Sequence, residues 1–158
     1  MKLLFKQRIF SWFDSYDIYD EKGNTIFVVK GELSWGHQLR IYNKKGEEQG
    51  LIKERIMTFL PKFIMYKDEE EIGEIKKDLT FFSPSFQLTY NNWQVKGDFF
   101  EWEYKVTDSN NAPIATISKR IFNLTDTYEI DVKEEKNAIY VLMIVLAIDA
   151  IKCSAQNN

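Results

Sequence analysis

One cysteine and one histidine stand among 158 residues. Cys153 has no partner for an intrachain disulfide, and with His37 it cannot supply a zinc site of ordinary ligand spacing. Three prolines and seven glycines leave neither a flexible linker nor a low-complexity tract. No G-x-S-x-G, C-x-x-C or glycine-rich phosphate loop occurs, so nucleophilic catalysis and nucleotide binding have no motif to rest on. Basic excess is absent too: the net charge is −3 and the pI about 5.3, which speaks against general nucleic-acid binding. The run Asp68-Glu69-Glu70-Glu71 lacks the spaced oxygen ligands and turn glycine of a calcium loop and reads as a solvated hairpin tip. His37, in LSWGHQL, reads as a polar loop residue between strands. Catalytic, cofactor and metal residues are therefore expected to be none, and the chain is expected not to be an enzyme. Lys6 and Arg8 interrupt the apolar run a signal peptide needs in MKLLFKQRIF, so a cytoplasmic, reducing location is the simplest expectation.

What the chain does have is aromatics, at 15%, which suit a pleated surface. It also has a weak internal repeat. Ser15–Glu32, Gln38–Arg55, Lys62–Lys77 and Tyr104–Arg120 each place an alternating apolar run, a polar turn and a second alternating run in order. The turns read DEKGN, NKKGE, KDEEE and DSNNAP, with Gly23 and Gly46 at expected positive-φ positions. Asn91-Asn92, between Tyr90 and Trp93, suits the two positive φ angles of a tight hairpin. TDTYEIDVK, residues 125–133, alternates once more. Ten to twelve strands result, and a sheet of that size must close or split because free edges invite aggregation.

The last segment breaks the rhythm. From Ala138 to Ile148 the only polar group is the Tyr140 hydroxyl; Asp149 and Lys152 follow. Apolar on all sides, this helix is buried in protein or in lipid. A membrane crossing takes about 20 apolar residues. This run is about 16 Å long, and a carboxylate in lipid costs roughly 3 kcal/mol. The expectation is a core helix over about 134–153 inside a barrel whose strands fill about 2–133, the whole of 1–158 forming one domain.

YDEKGNTIFVVKG, YNKKGEEQGLIKE, YKVTDSNNAPIATISKR and the closing EIDVKEEKNAIYVLMIVLAIDAIKC together resemble the bacterial branch of the LURP-one-related family, in the tubby C-terminal-like superfamily. The resemblance covers essentially the whole chain. It implies a mainly β fold: a twelve-stranded closed antiparallel barrel around a central hydrophobic C-terminal helix. Tubby relatives bind phosphoinositide head groups through Lys and Arg, but their basic residues do not map onto positions of this sequence.

Two candidate sites remain. Lys53, Arg55, Lys119 and Arg120 end comparable second arms of two repeats and would form an anion site if those arms cluster; strand-edge lysines that discourage pairing are the plainer reading. Asp149 would be a polar group at the barrel mouth, either partly wet or paired with a strand cation, or facing a ligand cavity. Trp12, Trp35, Trp93 and Trp102 are expected in packing rather than in base stacking. The functional expectation is a non-enzymatic binding or scaffold module, peripheral to a membrane, contacting anionic lipid head groups or a protein. Its alternatives are a small-molecule-binding protein or enzyme with a pocket near Asp149, and, third, a nucleic-acid-binding regulator.

Overall fold

A computed structural model describes residues 1–6, 15–34, 36–78, 85–99, 101–122 and 125–156. Trp12, Trp35 and Arg8 lie outside the described residues. The strands are β1 (Lys2–Lys6), β2 (Ser15–Tyr19), β3 (Thr25–Ser34), β4 (Gly36–Asn43), β5 (Glu48–Glu54) and β6 (Lys62–Lys67). They continue with β7 (Glu70–Asp78), β8 (Ser85–Leu88), β9 (Trp93–Asp98), β10 (Glu103–Thr107), β11 (Pro113–Phe122) and β12 (Thr125–Val132). Each strand pairs antiparallel with its sequence neighbour, and β1 also pairs with β12, so the hydrogen-bonded order closes into a barrel. Closure removes the free edges that a long meander would expose.

Three of the four repeated hairpins turn by one device. Asp20 Oδ1 accepts the Lys22 and Asn24 amides, both at 2.8 Å. Asn43 Oδ1 accepts those of Lys45 and Glu47 at 2.9 and 3.0 Å, and Asp108 Oδ1 those of Asn110 and Ala112, both at 2.8 Å. A side-chain acceptor at the first position thus folds the next four residues over itself. Three residues after it the backbone turns left-handed, at Gly23, Gly46 and Asn111. The third of the four, Lys62–Lys77, departs from this pattern. Its tip is the two-residue pair Asp68-Glu69, with φ of 51° and 66°. Asn91 and Asn92 also take positive φ, as the sequence predicts.

Side chains alternate, and register pairs inner residues with inner ones. Phe5 faces Tyr128 and Ile18, Ile52 faces Leu39 and Met65, and Val95 faces Phe86 and Val106. All belong to one core cluster with the helix α1 (Ala138–Gln156), whose residues Val141–Ile151 are buried without a break. The helix begins later than the sequence suggests: Glu135–Asn137 forms a 3-10 turn first. Nineteen residues at about 1.5 Å each span roughly 28 Å.

α1 enters where β12 ends. There Tyr140 packs on Tyr90 with ring centroids 4.8 Å apart, and Trp93 meets Tyr140 edge-on. It leaves at the opposite end, where Lys152 Nζ sits 4.2 Å over the Trp102 ring. The polar turns 20–24, 43–47, 68–69 and 108–112 lie at the entry end. The longer connection between β5 and β6 lies at the exit end.

Candidate functional site

The four basic residues do not come together. Lys53 ends β5 with Arg55 just beyond, while Lys119 and Arg120 lie on β11. Around the closed ring, β6 to β10 separate them on one side, and β12 with β1 to β4 on the other. Similar positions in two hairpins superpose in sequence, but a ring sets successive hairpins side by side. Arg55 and Arg120 are also engaged. Arg55 reaches Glu74 at 3.1 Å, which Lys62 also reaches at 3.1 Å. Arg120 pairs with Glu129, which Lys2 approaches at 3.3 Å from the other neighbouring strand. Glu129 is buried, and two flanking cations offset its desolvation.

Asp149 is more deeply buried than the sequence suggests, at 6% exposure. Burial raises its carboxyl to about 7, and the Lys152 ammonium opposes that shift. The charge that acts on it is thus Lys152 on its own helix. Tyr104, on β10, is fully buried, and its hydroxyl has no hydrogen-bond partner among the described residues. Burial first, and then the Asp149 charge, pushes its ionisation well above the usual phenol range. Trp102 stacks on Tyr128 at 3.9 Å beside them. Trp93 and Trp102 are core residues, as the sequence predicts.

His37 is not a loop residue. It lies in β4, with Nδ1 2.5 Å from Glu54 Oε2 on the adjacent strand. Such a pair can orient an imidazole. Among the described residues no three His, Cys, Asp or Glu side chains gather as metal ligands.

The most unusual surface is one the hairpin logic passes over: residues 55–61, RIMTFLP, between β5 and β6. Arg55 N donates to Lys62 O at 2.9 Å and closes the loop base. The Thr58 hydroxyl lies 2.7 Å from the Leu60 carbonyl and 3.1 Å from that of Arg55. On this braced loop Met57 is 99% exposed and Phe59 95%, with Ile56 also exposed. Met57 additionally holds φ at 61°, a strained angle for a side chain of its size. Lys53, Lys62, Lys76 and Lys77 stand on the adjoining strands and Arg55 just beyond β5, with Glu54 and Glu74 among them. Lys62 and Lys76 are direct register partners. The available signal was an apolar run that alternates with nothing and belongs to neither flanking hairpin.

Among the described residues no helix is long and apolar enough to cross a membrane. Comparison with curated protein sequences gives no match. The crystal structure of an Arabidopsis thaliana protein is similar over 94% of this chain and 91% of that one, with a TM-score of 0.61 and 12% identity. At that identity the likeness is one of fold. The family model for LURP-one-related proteins matches residues 1–149, and the chain belongs to the LURP-one-related family.

Proposed function

We propose that this protein is a non-enzymatic module that docks on anionic lipid surfaces through the exit end of its barrel. The observation that carries the reading is the full exposure of Met57 and Phe59 on a loop held in shape by Thr58 and by the Arg55–Lys62 backbone bond. Water contact at two large apolar side chains and a left-handed Met both cost free energy in the free protein. An apolar phase that accepts the side chains recovers part of that cost, at about 1.5–3 kcal/mol for each fully buried side chain. The surrounding lysines and Arg55 add roughly 1 kcal/mol each near a negative surface, less where Glu54 and Glu74 neutralise them. Binding of this kind is reversible, and salt weakens its electrostatic part.

The site differs from the four-residue anion patch read from sequence. Lys53 and Arg55 belong to it; Lys119 and Arg120 do not. Vesicle co-sedimentation tests it. Recovery with phosphatidylserine vesicles should exceed recovery with neutral ones and fall at least fivefold in Phe59→Ser. Equal recovery with both vesicle types would refute lipid docking. Undiminished recovery in Phe59→Ser and in Met57→Ser would refute the loop as the contact.

A further inference from the structure

A second feature lies at the opposite end of the barrel. Where α1 enters, a cavity of about 320 Å³ opens between the first turn of the helix and the ends of β3, β4 and β5. Ile26 and Phe27 line it from β3, and Ala138 and Ile139 from the helix. Ile26, Phe27 and Ile139 are only half-buried although they pack on the core. Lys44 and Lys45 stand at its rim, both exposed, and neither ammonium has an ion-pair partner among the described residues. Among the described lining residues Glu135 is the one carboxylate set against Lys44 and Lys45, while the Glu47 carboxylate beside them is held by Asn43. The neutral polar groups are already committed: Asn43 Nδ2 donates to Glu47 at 2.7 Å, and Gln49 Nε2 lies 3.3 Å from the Glu47 and Glu48 carbonyls.

We infer that this cavity binds a single linear alkyl chain carrying an anionic head group. Apolar walls that the fold leaves half-wet are completed by methylenes, which gain by leaving water. Uncommitted ammonium groups at the mouth select a carboxylate or phosphate over a neutral or cationic head. A rigid polar ligand would strand its hydrogen-bonding groups against Ile26, Phe27 and Ile139. The volume is near the lower end of small-molecule sites, at roughly 300 Å³, which suits one medium-length chain rather than a two-chain lipid. This site is independent of the loop 55–61: it is at the other end of the barrel, and docking there would leave it open to solvent.

Calorimetric titration with monomeric decanoate, decyl phosphate, decanol and decyltrimethylammonium tests the inference. The two anions should bind at one saturable site, decanol at least tenfold more weakly, and the cation not at all. The double variant Lys44→Glu, Lys45→Glu lies in an exposed turn and should weaken decanoate at least tenfold, with circular dichroism and melting unchanged. Gln49→Trp should block the cavity without reversing charge. Phe59→Ser should bind decanoate as well as the unaltered protein does. The inference fails if decanoate does not saturate, if all four ligands bind alike, or if neither the charge reversal nor Gln49→Trp reduces binding. Loss of binding in Phe59→Ser would place the ligand at the other end of the barrel and overturn it equally.

Discussion

A Cβ built on Gly50 would stand 1.9 Å from Met143 Cε. The wall of the barrel and the helix inside it meet there with no room for a side chain. Gly50 is buried on β5, opposite Ile41, so its missing side chain is the space the Met143 methyl occupies. Gly50→Ala should therefore destabilise the protein by about 1–3 kcal/mol in urea unfolding, since an overpacked core must shift or strain. Met is flexible, so Met143→Ala in the Gly50→Ala background should cost less than the sum of the two single changes. Strict additivity would show that the two residues do not meet.

Asp149 makes stability depend on pH in a predictable direction. Its folded value is about 7 against an ordinary value of 3.8, because burial disfavours the charge. Between those values the unfolded chain releases the proton and the folded chain keeps it. Stability from this group is thus complete below pH 4, falls as pH rises toward 7, and is level above that. The difference is on the order of a few kcal/mol. Asp149→Asn should lose this decline, so urea midpoints at pH 4.5, 6 and 8 should diverge from those of the unaltered protein as pH rises. Parallel profiles would refute the assignment.

The exposed loop allows separation of folding from binding. Met57→Gly relieves a left-handed backbone angle and should raise stability by about 1 kcal/mol. Phe59→Ser removes a ring that touches little and should change stability by no more than about 0.5 kcal/mol. Thermal melts of both variants check this. A large loss in Phe59→Ser would mean that the ring packs against something, and the docking proposal would weaken with it.

Two glycines with positive φ should behave differently. Gly23, in an open turn, has nothing within 4 Å of a built Cβ, whereas Gly97 would place one 2.4 Å from the Glu103 carbonyl and 2.5 Å from Tyr104 Cα. Gly23→Ala should cost about 1 kcal/mol, for backbone strain alone. Gly97→Ala meets backbone on the paired strand β10 and should cost clearly more. Equal melting temperatures for the two variants would contradict the close approach.

Removal of residues 138–153 takes out most of the buried helix, so the truncated chain should be insoluble or unfolded. Native-like circular dichroism in that variant would show that the strands do not need it.

Much of the fold was legible locally. DEKGN, NKKGE and DSNNA announce turns because a short acceptor side chain and a left-handed residue three positions on act within five residues. Asn91-Asn92 is legible for the same reason. An all-apolar helix reports its burial whatever surrounds it. The third hairpin is where the sequence puts it, but Asp68-Glu69 adopts left-handed angles without a glycine, so only its strand pairing reveals that the turn is shorter than KDEEE. His37 was misplaced because its strand is short of apolar alternation, and Glu54, its partner, is seventeen positions away.

The sites were another matter. Composition and periodicity alone determine a mainly β antiparallel chain with a buried C-terminal helix, since both follow from residue order and the cost of exposing apolar surface. Which charges are neighbours depends on which strand follows which around the ring. Only that closure sets Lys53 and Arg55 half a circumference from Lys119 and Arg120 and gives Glu129 to both Lys2 and Arg120. Exposure of Met57 and Phe59 is likewise a tertiary fact. A run of apolar residues is buried or bare according to what the rest of the chain brings to meet it, and for Met57 and Phe59 the described structure brings almost nothing.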